Sequence, residues 1–529
     1  MADQRVQYTE EMVGAGHPTK ADTLNRLMLV EHGTDGTHGG AIGNAGAEHN
    51  TDGTHKSTNV YTDLITKGPW IDVRAYGAKG DGVTDDTAAL NSALAAAAGK
   101  GICYIPNTGN YYVISSQLNI YSNTHVKLDG NIILGWYSNC SMVFINGASN
   151  VVIEGRGFLH GNSPWQTVIA IGGIYVNNSS NVTIRDINIG YIKSWPVNTV
   201  GSSDVFVENC TMYGSGNSCE FAAGSANCWF IGNMVYDIND EGIAFYGGVF
   251  RSGAIGNIVA NSTAGSGISI LNDSAQSAAC HDIVISDNIL YNNHYSGIEA
   301  NSGIGTLNYN IGIHNNLCLY NNKGNIGGQG GIHIGDAYLV NISDNMIHHD
   351  GAGANASYGI RVSGGSSSVM ITGNQIGDEG QGGTLGVGVN LESASYILIT
   401  GNRFYDSQAA KTTAYHVNGT GSYIVVRDNF FDAPIGAKIN VSGTYCIFED
   451  NLGVNPVGPV SAPAVPASGA ALTNPRPYAC RVFINGGTIS DVAINGTSTG
   501  GTPRAVVLGA GESITMTYSA APAWTWFGM

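Results

Sequence analysis

Six strand starts share one arrangement, a glycine, an apolar residue and a variable third residue. They are Gly242-Ile243-Ala244, Gly267-Ile268-Ser269, Gly297-Ile298-Glu299, Gly331-Ile332-His333, Gly359-Ile360-Arg361 and, less cleanly, Gly388-Val389-Asn390. Successive strand side chains point to opposite faces, so with Ile or Val turned inward the third residue faces solvent. Glu299, His333 and Arg361 would then stand on one face as an acid, a base and a cation. Just ahead of the first start lies Asn239-Asp240-Glu241, and Glu220, Asp237, Asp273, Asp336 and Glu392 occupy neighbouring segments. Carboxyl groups brought together suit acid/base chemistry, one protonated to donate and one ionised to accept. The competing readings are structural. Asp240 and Glu241 could cap a turn, and Glu299, His333 and Arg361 could form a charge ladder that steadies adjacent strands.

Either reading needs a scaffold that repeats. From about residue 151 to 453, two or three alternating apolar residues, an Asn or Asp, and another alternating run recur every 22 to 31 residues. The phrase reads Thr183-Ile184-Arg185-Asp186, Phe206-Val207-Glu208-Asn209 and Phe230-Ile231-Gly232-Asn233. It continues through Asn257, Asn288, Asn316, Asn345, Asn374, Asn402, Asn429 and Asn451. Strand-like pieces at such a period, joined by Gly, Asn and Ser turns, signal stacked coils. One coil cannot bury its apolar face, but a stack can. The repeat predicts an all-β chain wound as a right-handed parallel β-helix. The asparagines are scaffold, their stacked amides satisfying polar groups buried at the turns. Coils lie ~4.8 Å apart, so Glu299, His333 and Arg361 should form a column at that spacing, which a one-residue slip would invert.

Composition agrees. The chain has 529 residues, 75 of them glycine and only 12% charged, a turn-rich mix in a length that a solenoid accommodates without the limit on a single core. The formal charge of −17 excludes nucleic acid as an expected partner. Nine scattered cysteines with no CxxC pair read as small buried hydrophobes. The N-terminus has no charged region followed by an apolar one, and no apolar run approaches ~18 residues, so neither a secretory signal nor a membrane span is expected. A protein made in the cytoplasm that acts outside would leave by lysis or a dedicated machine.

Residues 1–68 are polar and rich in Gly, His and Thr, with a near-duplicate at Glu31–His38 and Glu48–His55. They read as an anchoring or oligomerising segment that orders only against other bodies. His38 and His55 could meet a metal on a trimer axis, or could belong to solvated Asp-Gly turns. In the stretch 71–99, Thr84 is a candidate N-cap, Asp85 and Asp86 suit a first helical turn, Ala89, Leu90, Ala93, Leu94 and Ala97 make an apolar face, and Gly99 can end the helix. Such a helix would cover the open end of the solenoid. This phrase ahead of an asparagine-laddered solenoid resembles the pectate-lyase-like superfamily over residues 69–453. Residues 454–473, rich in Pro, Ala, Gly and Ser, read as a linker. Residues 474–529 read as a small β-sandwich-like domain ending in Trp524-Thr525-Trp526-Phe527, whose aromatics could bind sugar or, the stronger reading, pack in its core.

Within that superfamily, Asp240 and Glu241 resemble the paired acids of polygalacturonases, which implies glycoside hydrolysis with one carboxyl assisting the leaving oxygen. The chain departs from them at Asn198-Thr199-Val200, where their Asn-Thr-Asp element carries an acid. The whole architecture resembles phage tailspikes. That resemblance implies a homotrimer on a virion, held to tail or baseplate proteins by residues 1–68 and acting outside the cell on a host surface polysaccharide. Asp240 and Glu241 would lead the catalysis, with Glu220, Asp273 and Glu299 next. His333, Arg361, Tyr246, Trp195 and Asp336 would contact substrate. A hydrolase would use no cofactor. A lyase or C5-epimerase would instead take His333 or Tyr246 as base or acid and neutralise a uronate with Arg361 or Ca²⁺. A receptor-binding fibre would do no chemistry.

Overall fold

A computed structural model describes residues 69–529, apart from 169–171, 349–356, 379–384, 407–414, 433–437 and 456. Residues 1–68, with His38 and His55, lie outside the described residues. Short strands alternate buried and part-exposed positions, as in Ile102–Ile105 and Val143–Asn146. Their inward Ile, Val, Leu and Phe side chains join one continuous core from Ile71 to Phe448. Each strand pairs in parallel with its counterpart on the next coil, which builds three ladders. One of them counts 13 strands, from Tyr111–Ile114 to Phe430–Phe431. The ladder that concerns function runs through β1 (Val197–Val200), β2 (Cys219–Ala222), β3 (Ile243–Tyr246), β4 (Ile268–Asn272), β5 (Ile298–Ser302), β6 (Gly330–Gly335), β7 (Ser357–Ser363) and β8 (Leu385–Thr400).

The coils are locked together at a corner. From Asn233 through Asn429, the backbone N–H and the Nδ2 of each ladder asparagine donate to Oδ1 of the next. The same Nδ2 also reaches a carbonyl of the preceding coil. Asn288, for example, donates to Asn316 Oδ1 at 2.9 Å and to Ala254 O at 2.9 Å. Two positions of the expected ladder fall outside it. Asp186 and Asn209 take the left-handed conformation just before the buried site, with φ of 61° and 51°, and Ile187 and Cys210 fill that site. Short polar residues suit both the left-handed corner and the amide stack, so the sequence phrase slips by one residue there. A shorter chain, Ser262 to Asn293 to Asn321, braces the corner from which the functional strands start.

Helix α1 (Thr87–Ala97) buries Leu90, Ala93, Leu94 and Ala97 over the first coil. Its N-cap residue is Asp86, not Thr84. The Asp86 carboxylate accepts from the Lys79 and Gly80 N–H groups, and the Thr84 hydroxyl is spent on Asp81. Gly99 follows the Ala98 cap with φ of 67°. Beyond the solenoid, two antiparallel four-stranded sheets share a core that holds Trp524 and Trp526. Gly458–Val460 and Ala471–Thr473 each contribute an edge strand to these sheets. Residues 454–473 are therefore more than a tether, because proline is tolerated at a sheet edge. Seven of the nine cysteines are buried and all are free; Cys140 and Cys446 are part-exposed.

Replacing Asn288 with alanine removes the acceptor for two donors of Asn257 and the side-chain donor to Ala254 O, while Asn316 Oδ1 keeps only the backbone N–H of residue 288. A buried polar group left unpaired costs about 1–3 kcal/mol. Urea titration of Asn288→Ala should show a loss of about 3 kcal/mol or more, whereas Asn209→Ala, outside the stack, should lose much less.

Candidate active site

The register brings the third residues of the strand starts into one column. Asn198 pairs with Glu220, Glu220 with Ala244, Ala244 with Ser269, Ser269 with Glu299, Glu299 with His333, His333 with Arg361 and Arg361 with Asn390. Glu299 and His333 are only 8% and 5% exposed. They are thus recessed in the face rather than splayed into solvent as a surface ladder would be. Asp240 and Glu241 sit at the corner that feeds β3, both half-buried. The next coil passes above them through Gly265, where an added Cβ would lie 2.4 Å from Glu241 N and 2.5 Å from the Asp240 carbonyl carbon. Only glycine lets that turn approach the Asp240–Glu241 peptide so closely.

The acids differ in electrostatic state. Burial raises the Glu241 carboxyl far above the usual range, and the hydrogen bond that its protonated form donates to Asp240, the Asp240 charge and Glu299 push the same way. Glu220, one coil below, is pushed up to about 7, chiefly by burial and also by Asp240, although the Trp195 indole and Ser218 hydrogen-bond it. Glu299 goes the other way. Burial opposes its ionisation, but His333, Ser266 and Asn301 together outweigh burial and hold it below the usual range. Ser266 Oγ donates to Glu299 Oε2 at 2.8 Å and Asn301 Nδ2 to Oε1 at 3.3 Å. Ser266 belongs to the coil between Glu241 and Glu299, so the Glu299 carboxylate leans towards Glu241.

His333 and Arg361 are engaged with each other. His333 Nδ1 lies 3.3 Å from Glu299 Oε1, an ion-pair distance without good hydrogen-bond geometry. Its Nε2 faces Ser363 Oγ at 3.0 Å and Arg361 Nη1 at 3.4 Å. Both ring nitrogens thus have polar neighbours, Nδ1 towards Glu299 and Nε2 towards Ser363 and Arg361. Arg361 also forms a two-pronged pair with Glu392, at 3.1 and 2.7 Å, and donates to Gly328 O. The register thus assembles Glu299, His333 and Arg361 as the sequence predicts, and the chain of contacts ends on Glu392.

The remaining candidates divide. The Tyr246 hydroxyl bonds Asp273, and burial together with that carboxylate raises the tyrosine. Asp273 is correspondingly lowered, first by Tyr246 and then by the Gln276 and Ala275 N–H groups, at 3.0 and 2.7 Å. Trp195 touches the acids through Glu220. Asp336 does not join them. It occupies a left-handed corner with φ of 52°, and its carboxylate accepts from Gly365 N of the next coil at 2.8 Å. A turn acid of this kind is spent on backbone. Sequence reasoning missed Ser266 and Asn301, whose only signal was a serine in a turn and an asparagine two positions after Glu299. Along the column, Asn198 Oδ1 and Ser269 Oγ are buried without a hydrogen-bond partner, an exception that calls for an explanation such as a bound polar group. Among the described residues, no group of three or more His, Cys, Asp or Glu side chains is arranged to hold a metal ion.

Residues 70–317, a little under half of the chain, match a family described as rhamnogalacturonase A/epimerase, pectate lyase-like. The A-module of mannuronan C-5 epimerase AlgE4 from Azotobacter vinelandii is similar at a TM-score of 0.51 and 18% identity, over 72% of this chain and 98% of that one. The tailspike protein of E. coli bacteriophage HK620, solved with a pentasaccharide, is similar at a TM-score of 0.50 and 12% identity over 99% of both chains. A curated sequence, the non-secreted LysM effector LysM19 of Penicillium expansum, is 51% identical over 57 residues, which is 11% of this chain and 4% of that protein. The chain therefore spans a small fraction of that relative's length. At these identities the structural likeness is one of fold. The body of this chain is a right-handed parallel β-helix, and residues 70–317 of it are similar to a pectate-lyase-like family.

Proposed function

We propose that this protein binds a cell-surface polysaccharide and cuts it by glycoside hydrolysis, with Glu241 as general acid and Glu299 as general base. The observation that carries the reading is the opposed state of two carboxyls on one face, Glu241 held protonated and Glu299 held ionised. Titratable groups pushed apart in this way mark acid and base roles. Glu241 would give its proton to the glycosidic oxygen as the bond to the anomeric carbon breaks. Glu299 would take a proton from the water that forms the new bond from the opposite side. The two residues stand two coils apart, about 9.6 Å along the axis, and the lean of Glu299 towards Ser266 shortens that. This leaves room for a water and favours inversion, for which carboxyls ~6.5–9.5 Å apart are usual. Asp240 acts by keeping Glu241 protonated, and Glu220 and Tyr246 would contact the sugar. The tailspike-like form supports a trimer carried on a phage tail through residues 1–68.

A lyase or epimerase reading finds less support. Tyr246 holds its proton against Asp273, which makes it a poor base. Arg361 is already matched by Glu392, which leaves little cationic charge for a uronate.

Incubation with a panel of purified capsular and O-antigen polysaccharides, followed by sizing of the products, tests the proposal. Glu241→Gln should cut more slowly by about 10²–10⁴-fold, and products should appear without the ultraviolet absorption of an unsaturated sugar. Full activity in Glu241→Gln and Asp240→Asn would sink the assignment. The pH profile should rise through the depressed Glu299 value, run level through neutrality and fall only beyond the raised Glu241 value. An alkaline limb near the ordinary glutamate value of about 4.3 contradicts these roles.

Stability gives an independent readout. Above that ordinary value the unfolded chain releases the Glu241 proton while the folded chain retains it, so wild-type stability falls as pH rises towards the raised value. Glu241→Gln lacks this linkage. Its melting temperature should exceed wild type by a margin that widens from pH 4 to pH 8.

A further inference from the structure

An exposed aromatic group lies on the same edge of the solenoid as the acids. Trp136 is 70% exposed, Tyr137 58% and Trp165 44%. The two indoles stack with centroids 5.1 Å apart and planes 19° apart, and the Tyr137 ring meets Trp165 edge-on. One face of Trp136 is therefore covered by Trp165 and the other is open. Exposing so much aromatic surface has a cost, and the backbone adds another, since Tyr137 is left-handed at φ 55°.

The platform is also rigid. Tyr137 N donates to Trp165 O at 3.1 Å, Gln166 bridges Gly135 O and Asn139 N, and Asn139 binds Thr167 through both backbone and side chain. The two loops are zipped together before any ligand arrives, which lowers the ordering cost of binding.

Its position along the coils identifies the occupant. Trp136 sits in the corner feeding Val143–Asn146, Trp165 in the corner feeding Ile174–Asn177, and Trp195 in the corner feeding β1. Glu220 is on β2 and Glu241 in the corner feeding β3. These strands pair in that order. Five successive coils therefore contribute, in turn, Trp, Trp, Trp, Glu and Glu to one edge, and the last tryptophan already hydrogen-bonds the first glutamate. A chain lying along this edge would meet the indoles about 14–19 Å from Glu241. Sugar rings present apolar C–H faces that match an open indole, whereas the acids suit their hydroxyls and glycosidic oxygens.

We infer that Trp136 and Trp165 form a remote subsite that stacks on sugar rings of the same glycan chain, three to four coils from Glu241. The inference rests on the glycan-cutting reading above and adds that the enzyme prefers long chains.

The test uses full-length protein carrying Glu241→Gln, so that glycan is bound without turnover, and the same polysaccharide panel as intact polymers and as size-fractionated fragments. Affinity electrophoresis should show Trp136→Ala and Trp165→Ala each weakening retention of the intact polymer by roughly three- to tenfold, with a much smaller effect on fragments of two or three sugars. Trp165→Phe should recover part of the loss. Two results would overturn the subsite: a double alanine variant, with native melting, that binds intact polymer as tightly as its parent, or one whose loss of binding tracks a change in sedimentation, since a second copy of the chain would then be what covers the rings. Wild-type protein that neither binds nor cuts any member of the panel would bring down the glycan reading itself. Normal cutting with indifferent tryptophan variants would bring down the subsite alone.

Discussion

The structure depends on the hydrogen-bonded stack of buried asparagines. A coil of three short strands has no core of its own and gains one only by lying on its neighbours. At the corner where the chain turns inward, backbone groups are cut off from water and must find partners. Each asparagine amide supplies two donations upward or backward and one shared acceptor, so it satisfies its own turn and the adjacent one. This fixes the rotational phase of each coil. Once the phase is fixed, any residue counted from the corner recurs directly above its counterpart. The outward column from Asn198 to Asn390 is a consequence of that phase.

The same regularity accounts for the unequal acids. Side chains in a column are neighbours at strand spacing, so each carboxyl is governed by what the adjacent coils place beside it. Glu241 meets another acid and a turn packed tightly through Gly265. Glu299 meets a serine, an asparagine and a histidine oriented by Arg361. Burial opposes ionisation at both, and the difference lies in the hydrogen-bond donors.

Much of this was legible from residue order. The period of the repeat specified stacked coils, and the glycine-apolar-variable motif gave the register of Glu299, His333 and Arg361 without error, because a buried isoleucine leaves no freedom in which face the next residue takes. What escaped was set by contacts between coils rather than along the chain. Asp186 and Asn209 looked like ladder members because the left-handed corner and the amide stack accept the same residue types. Asp336 looked available because its use by a backbone N–H of the following coil has no local signature. Thr84 lost the helix cap to Asp86, whose carboxylate is aimed by the preceding loop. Ser266 and Asn301 are ordinary residues made important by Glu299 alone. Trp136 and Trp165 lie far from the acids in sequence and approach their edge only when the coils are wound.

Because the coils are identical steps, distances along this face are discrete. The separation between a donor and an acceptor of protons cannot drift by fractions of an ångström as loops lengthen; it changes by whole turns or not at all. Deleting the turn that carries Ser266 would move Glu299 one step nearer to Glu241; under the proposed hydrolysis, that exchanges a spacing that admits a water for one that suits direct attack on the sugar. In a scaffold of this kind, stereochemistry becomes an integer, and a single duplication or loss of a coil is enough to change it.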